Sequence, residues 1–195
     1  MSNPTTRPAS LFIDHISPLV CLEDKDYSDF LRKWGESVRP GLKAIVIFSA
    51  HYKSNSIIIS SSDGPYSTMY DYGPGFPDKY YTMKYPVCGS SKVAAQVKNL
   101  LEKAGFSCAF EKSRGLDHGS WPVLMHMFPQ REVPVVQVSL VTALPPAKLM
   151  RIGAALRGLH REGVLVIGSG ALIHNMQEMD FQATEPPKWA IELYT

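Results

Sequence analysis

Residues 44–51 read Ala-Ile-Val-Ile-Phe-Ser-Ala-His, an apolar, largely β-branched run that ends in small residues and a histidine. A continuous run of this kind is typical of a strand that is covered on both faces. Two further apolar strands end in a similar way, since residues 11–13 lead to His15 and residues 164–168 lead to His174. These three strands predict a sheet with histidines along one edge.

The rest of the chain alternates apolar runs with segments of helical spacing. Further strands are predicted at residues 56–60, 108–110 and 134–140, and helices around residues 27–34, 90–103, 121–128 and 146–160. This alternation predicts an α/β fold with a central, largely parallel or mixed sheet flanked by helices. A chain of 195 residues with 45% hydrophobic content suits one compact core, so we expect residues 1–195 to form a single domain.

Residues 63–86 form a stretch dense in glycine, proline and tyrosine, which we call the aromatic segment. Repeated prolines and glycines argue against regular structure here. The pattern predicts a long ordered loop, and loops of that length inside compact domains are often functional.

Composition excludes several classes of partner. The formal net charge is +2, and the basic residues are spread along the chain, so we expect neither nucleic acid nor a membrane surface as a partner. Cys21, Cys88 and Cys108 are widely separated, which is typical of reduced thiols and not of a zinc ribbon. The sequence shows no leader peptide and no apolar stretch of about 18 residues, so a cytoplasmic location is expected.

Three histidines carry the functional argument. His15, His51 and His174 each follow a strand, and in open α/β sheets ligands bind beyond the carboxyl ends of the strands. A lone histidine after a strand is more often a hydrogen-bonded turn residue, so the argument depends on the repetition. Neutral imidazole is the commonest protein ligand for zinc, iron and similar cations. The placement predicts that these three side chains hold one divalent metal ion.

A fourth histidine, His118, lies in the sequence Leu-Asp-His-Gly-Ser-Trp. Gly119 permits a tight turn, and an exposed imidazole there could act as general acid or base near its ordinary pKa. The neighbouring Asp117 could equally cap the helix that follows. The local sequence therefore makes His118 a candidate catalytic residue.

Several of these segments together resemble class III extradiol ring-cleavage dioxygenases, and in particular the DOPA 4,5-dioxygenase branch. The resemblance is carried by FIDHISP, VIFSAHY, YGPGFP, KYPVCGS, GLDHGSW, PVVQVSL and VIGSGALIHN, in family order over residues 11–175. It implies an enzyme that cleaves the ring of a small catechol such as DOPA with dioxygen. It also implies one Fe²⁺ or Zn²⁺ per chain as cofactor. A homodimer is possible, and the sequence leaves the oligomeric state open.

The resemblance also implies roles for the histidines. His15 and His51 fall on metal-ligand positions, and His118 falls on a second-sphere position that assists catalysis. His174 falls on a position that is a metal ligand in some members and an acid–base residue in others. We therefore expect a metal site of His15, His51 and His174, with His118 and His174 as catalytic residues.

Three features depart from the family pattern. Ile16 stands where the family usually has glycine, and Tyr70 where close relatives usually have histidine. The ending at Thr195 implies that the C-terminal part usual in the family, with a further metal ligand, is lacking. Two alternatives therefore stay open: a zinc-dependent hydrolase with bound water as nucleophile, and a catalytically impaired relative that binds a small aromatic ligand.

Overall fold

A computed structural model describes residues 10–15, 17–175, 177–178, 180 and 183–193. The strands are β1 (Leu11–Asp14), β2 (Ala44–Lys53), β3 (Ile57–Ser60), β4 (Cys108–Glu111), β5 (Val135–Leu140) and β6 (Val164–Gly170). The helices are α1 (Pro18–Glu23), α2 (Lys25–Val38), α3 (Ser91–Lys103), α4 (Trp121–Met127), α5 (Pro146–Leu156) and α6 (Lys188–Glu192). The expectations about Ile16 and Thr195 concern residues outside the described ranges.

The strands form one sheet in the order β1-β6-β2-β5-β3-β4. The first four are parallel to one another, β3 runs antiparallel to β5, and β4 is parallel to β3. The predicted α/β fold with a largely parallel or mixed sheet is confirmed. The reversal of β3 has a local cause: only residues 54–56 separate it from β2, and a parallel return needs a much longer crossover.

Strand β2 lies inside the sheet and is covered on both faces, as its continuous apolar run predicts. Ile45 and Ile47 point into a core shared with residues of α2 and α4. Ala44 and Val46 point into a second core, which contains residues of α3 and α5. The alternation of side chains along one strand thus joins the two helical layers into one molecule.

Two of the helices begin at side-chain caps. The Asp24 carboxylate accepts a hydrogen bond from the main-chain N–H of Tyr27 at the start of α2. The Ser90 hydroxyl accepts one from Val93 at the start of α3. Each cap satisfies a main-chain donor that has no partner inside the helix.

The structure differs from the sequence prediction in two helical segments. The short helix α1 was not predicted. The helix expected at residues 146–160 is α-helical only to Leu156 and continues as a 3₁₀ helix, Arg157–Glu162, which ends at Gly163 in the left-handed region. None of the helices in the described ranges combines the length and the apolar character needed to span a bilayer.

The aromatic segment is a long ordered loop, as predicted, with one short 3₁₀ helix at Asp78–Tyr81. Tyrosine hydroxyls hold it together by donating to main-chain carbonyls: Tyr70 to Met83, Tyr72 to Tyr80 and Tyr81 to Gly73. Such bonds fix a loop that has no strand or helix ladder of its own.

Close packing of α2 against α4 generates a stability prediction. A Cβ atom added at Gly35 would lie 2.2 Å from the main-chain oxygen of Met127, which cannot move independently. Gly35→Ala should therefore lower the free energy of unfolding by ~1–3 kcal/mol, measured by urea denaturation. The matched control is Gly153→Ala in α5, where a Cβ meets nothing within 4 Å. It should leave stability unchanged or raise it by up to ~1 kcal/mol, and equal losses in the two variants would contradict the packing argument.

Candidate metal centre

Three histidines converge at the carboxyl edge of the sheet. His15 follows β1, His51 lies near the end of β2, and His118 lies in the loop before α4. Each can offer a ring nitrogen such that the three nitrogens lie within 4.8 Å of one another. His15 and His51 meet because β1, β6 and β2 are parallel neighbours, so that their carboxyl ends lie side by side.

The pairing of β2 with its neighbouring strands becomes irregular near His51. Pairing of β2 with β6 ends at Ser49, opposite Ser169. On the other side, the register with β5 shifts between Phe48 and Lys53. Departures from regular pairing of this kind are common next to functional sites, where they re-aim side chains.

His15 is buried and its ring orientation is fixed by a hydroxyl. Its Nδ1 lies 3.0 Å from the Oγ of Ser169, and this hydroxyl donates its only proton to the main-chain carbonyl of Gly119. Ser169 must therefore accept a hydrogen bond from His15, which places the ring proton on Nδ1. The Nε2 of His15 is left with a free lone pair.

That lone pair faces the Nε2 atom of His51 at 3.0 Å. Without a metal ion, the Nε2–H of His51 can donate a hydrogen bond to this lone pair of His15. Binding of both nitrogens to one ion requires the other tautomer of His51, with its proton on Nδ1. One ion could bind both nitrogens, because two metal–nitrogen bonds of ~2.1 Å can span up to ~4 Å.

An acidic residue of the aromatic segment faces the outer side of two of the rings. Asp71 Oδ1 accepts a hydrogen bond from the main-chain N–H of His118 at 2.9 Å and lies 3.0 Å from its Nδ1. The angle at Nδ1 is outside the range of a hydrogen bond, so this second contact is electrostatic. Asp71 Oδ2 lies 4.0 Å from Nδ1 of His51.

A buried polar network lies below the histidines. The carboxylate of Asp117, which has no exposed surface, accepts hydrogen bonds from the side chains of Ser49, Arg114, Ser120 and Gln137. The same Ser49 hydroxyl accepts a hydrogen bond from the main-chain N–H of His51. The network therefore fixes the loop that carries His118 against the strand that carries His51.

Gly119 allows the loop to approach β2. A Cβ atom at this position would lie 2.3 Å from Ser49 Oγ and 3.2 Å from a ring carbon of His51. The glycine where the sequence suggested a tight turn is thus required for the close approach of this loop to β2. The expectation of an exposed imidazole at His118 is wrong, because its ring is buried beneath the aromatic segment.

The electrostatics favour neutral rings. Burial and, after it, the neighbouring His51, His118 and His174 lower the pKa of His15 to about 3, although Asp71 opposes the shift. Burial and His118 also lower the pKa of His51, although Asp71 opposes this. Burial by itself would raise the pKa of Asp71, but its interactions with the ring and the main-chain N–H of His118 outweigh that effect and lower it. Neutral imidazoles beside an ionised carboxylate are ready to bind a cation.

His174 lies apart from the three clustered histidines. It is exposed, in the segment that follows β6, and it is near enough to His15 to affect the pKa of that ring. The predicted ligand set of His15, His51 and His174 therefore stays a prediction, with His118 in contact with the first two instead.

The clustered residues fit a divalent metal ion. They offer imidazole nitrogens that face one point, and outer oxygen acceptors support the rings, as in most metal-binding histidines. Sequence reasoning missed two of these supporting residues. Ser169 lies between two glycines at the end of β6, and Asp71 lies between two tyrosines of a loop, so neither has a spacing that predicts its role.

Comparison with known proteins gives the family. The family described as the catalytic LigB subunit of aromatic ring-opening dioxygenase matches residues 9–193. The chain belongs to this family. The LigB relationship covers both the sheet and the histidine cluster, and it confirms the resemblance to extradiol dioxygenases seen in the sequence.

Individual relatives agree with the family. The chain is 38% identical over 170 residues to a 4,5-DOPA dioxygenase extradiol of Beta vulgaris, covering 85% of this chain and 62% of the relative. It is 35% identical over 188 residues to a protein of the same name from Escherichia coli K12, covering 95% and 68%. A crystal structure of an uncharacterised Escherichia coli K12 protein superposes with a TM-score of 0.77 at 31% identity, covering 95% of this chain and 69% of that one. The chain thus spans about two thirds of the length of these relatives.

The low pKa of His15 predicts how stability depends on pH. The pKa of His15 is about 3 in the folded chain and ordinarily 6.5, so between these pH values the unfolded chain binds a proton that the folded chain does not bind. Above about pH 6.5 the free energy of unfolding does not depend on this group. As pH falls from 6.5 toward 3, it decreases by up to ~1.4 kcal/mol per pH unit. Denaturation of chelator-treated protein between about pH 7 and pH 5 should show this slope. It should be smaller in His15→Asn, and an identical slope in both proteins would contradict the assignment.

Proposed function

We propose that this chain is a non-haem, metal-dependent extradiol dioxygenase that cleaves the aromatic ring of a small catechol such as DOPA with dioxygen. The observation that carries the proposal is the pair of facing Nε2 atoms of His15 and His51, held at 3.0 Å in a chain of the LigB family. Relatives named 4,5-DOPA dioxygenase extradiol favour DOPA as the first substrate to test.

His15 and His51 would hold the metal ion, and either His118 or His174 would add a third imidazole. A ferrous ion held by few protein ligands would supply open positions for both catechol oxygens and dioxygen, and electrons could pass between them. Iron is favoured over zinc for this reaction, because zinc has no redox chemistry.

The chain's own residues supply proton transfer and the substrate pocket. His118 lies beside the His51 ring, with 3.8 Å between the ring centroids, so its imidazole can accept a proton from a catechol hydroxyl and return one later. The Tyr72 ring meets His118 edge to face at a centroid distance of 5.5 Å. The aromatic segment would therefore cover the bound ring and exclude water from it.

Oxygen uptake tests the proposed reaction. Protein loaded anaerobically with Fe²⁺ and then given oxygen and DOPA, or a simpler catechol, should consume oxygen in proportion to substrate and form a yellow ring-opened product. His118→Ala should lower the rate by ~10²–10⁴-fold, because a positioned proton carrier is lost. An oxygen electrode and product absorbance provide the measurement.

The controls separate the alternatives. Zinc-loaded protein should show no uptake, whereas product formation without oxygen would indicate a hydrolase. Binding of catechol to iron-loaded protein, seen as a raised Tm without turnover, would indicate a ligand-binding relative and contradict the proposal.

Metal content tests the ligands separately from the reaction. His51→Ala should lose most of its metal and keep its fold, because it removes a ligand from a half-buried position without disturbing the core. His160→Ala, which alters a histidine bonded to the main chain of Arg157, should retain the metal. Elemental analysis after dialysis gives the stoichiometry, and unchanged metal in His51→Ala would exclude that residue as a ligand.

The same measurement assigns His174. Loss of metal in His174→Ala would make it a ligand, as the sequence predicts, and retained metal with lost turnover would make it an acid–base residue. The corresponding pair of results for His118→Ala would decide between the same two roles.

A further inference from the structure

The aromatic segment contributes one ionisable side chain to the histidine cluster, and the functions assigned above do not use it. Asp71 lies at the turn between Tyr70 and Tyr72, and its side chain is 23% exposed. Both neighbouring tyrosines are tied to the main chain of the same segment. The position of the carboxylate is therefore set by the fold of the loop.

The two oxygens of this carboxylate face two different histidines. Oδ1 lies 3.0 Å from Nδ1 of His118 and also receives the main-chain N–H of that residue, while Oδ2 lies 4.0 Å from Nδ1 of His51. An unprotonated Nδ1 carries a partial negative charge, which would lie close to a negative oxygen. The carboxylate therefore favours the tautomer with the proton on Nδ1 in both rings.

This preference matters most for His51. In the absence of metal, a proton on its Nε2 can bond to His15, and that tautomer cannot bind an ion through Nε2. A carboxylate beside Nδ1 stabilises the other tautomer, which leaves Nε2 free. Ser169 does the same for His15 from the opposite side of the cluster.

We propose that Asp71 is a positioning residue of the metal centre, whose carboxylate keeps the ring protons of His118 and His51 on Nδ1 and directs their Nε2 atoms inward. This inference rests on the metal centre of the proposed function. It also joins the aromatic segment to that centre, because one carboxylate contacts both. Whatever displaces the segment then also weakens metal binding, and the coupling is reciprocal.

Cobalt affinity provides the first test. Co²⁺ binding is followed by its visible absorption in competition with a chelator, so no turnover is needed. Asp71→Ala should weaken binding by ~10–100-fold, the usual effect of removing a partner of a metal-binding histidine. Asp71→Asn should lose less, because its carbonyl oxygen can still accept from His118. The matched control is Asp78→Ala, which removes an exposed carboxylate from the same segment and should leave affinity unchanged.

Imidazole NMR provides the second test and needs no metal. Long-range ¹H–¹⁵N spectra report which ring nitrogen carries the proton, and loss of a signal in His118→Gln assigns that ring. In Asp71→Ala the His118 ring should move toward the Nε2–H tautomer, while the wild type and Asp78→Ala stay in the Nδ1–H form. A destabilised fold alone would not produce this shift, and Asp71→Asn provides the comparison if the alanine variant unfolds.

Two results would overturn the proposal. One is a His118 tautomer unchanged in both Asp71 variants together with Co²⁺ affinities equal to those of the Asp78 control. This result would leave the dioxygenase proposal standing. The other is a wild-type chain that binds no Co²⁺ at all, which would remove the proposed function and this inference together.

Discussion

The hydroxyl of Ser169 is the interaction on which the histidine cluster depends. It accepts a hydrogen bond from His15, which follows the edge strand, and donates one to Gly119, which adjoins His118. Ser169 itself lies in β6 opposite Ser49 of β2, two residues before His51. One buried group thus joins all three chain segments that bring the imidazoles together. The parallel order β1-β6-β2 makes this possible, since it sets Ser169 between the strands that lead to His15 and His51.

The Asp117 network shows how the fold tolerates a fully buried charge near this cluster. A carboxylate without solvent is costly unless its oxygens are hydrogen-bonded and its charge is opposed. Here Ser49, Ser120 and Gln137 supply neutral donors and Arg114 supplies the opposite charge. The Arg114 guanidinium also lies 4.1 Å from the centre of the Tyr52 ring, which covers it from the other side. This hydrogen-bonded network therefore holds the residues beside the histidine cluster in fixed positions.

Much of this could be predicted from the sequence, for identifiable reasons. The apolar run of β2 required cover on both faces, and small residues before a histidine marked the edge where ligands bind. The place of β3 beside β5 could not be predicted, because it depends on pairing between residues far apart in sequence. The partners of the rings were missed for the same reason. Asp71 and Ser169 act through contacts between residues 47 and 154 positions apart in sequence, and no local pattern records them.

If His15 binds the proposed metal ion, its placement has a consequence for how that ion could leave. Among the residues that the structure describes, His15 follows a four-residue edge strand that is paired on one side only, whereas His51 belongs to an interior strand. Edge elements with few ladder bonds open locally at much lower free energy than the core. Fraying of β1 would withdraw one imidazole while the rest of the sheet stays folded. The rate of metal exchange would then report the rate at which β1 opens. A bound ion would in turn stabilise the pairing of β1 with the sheet.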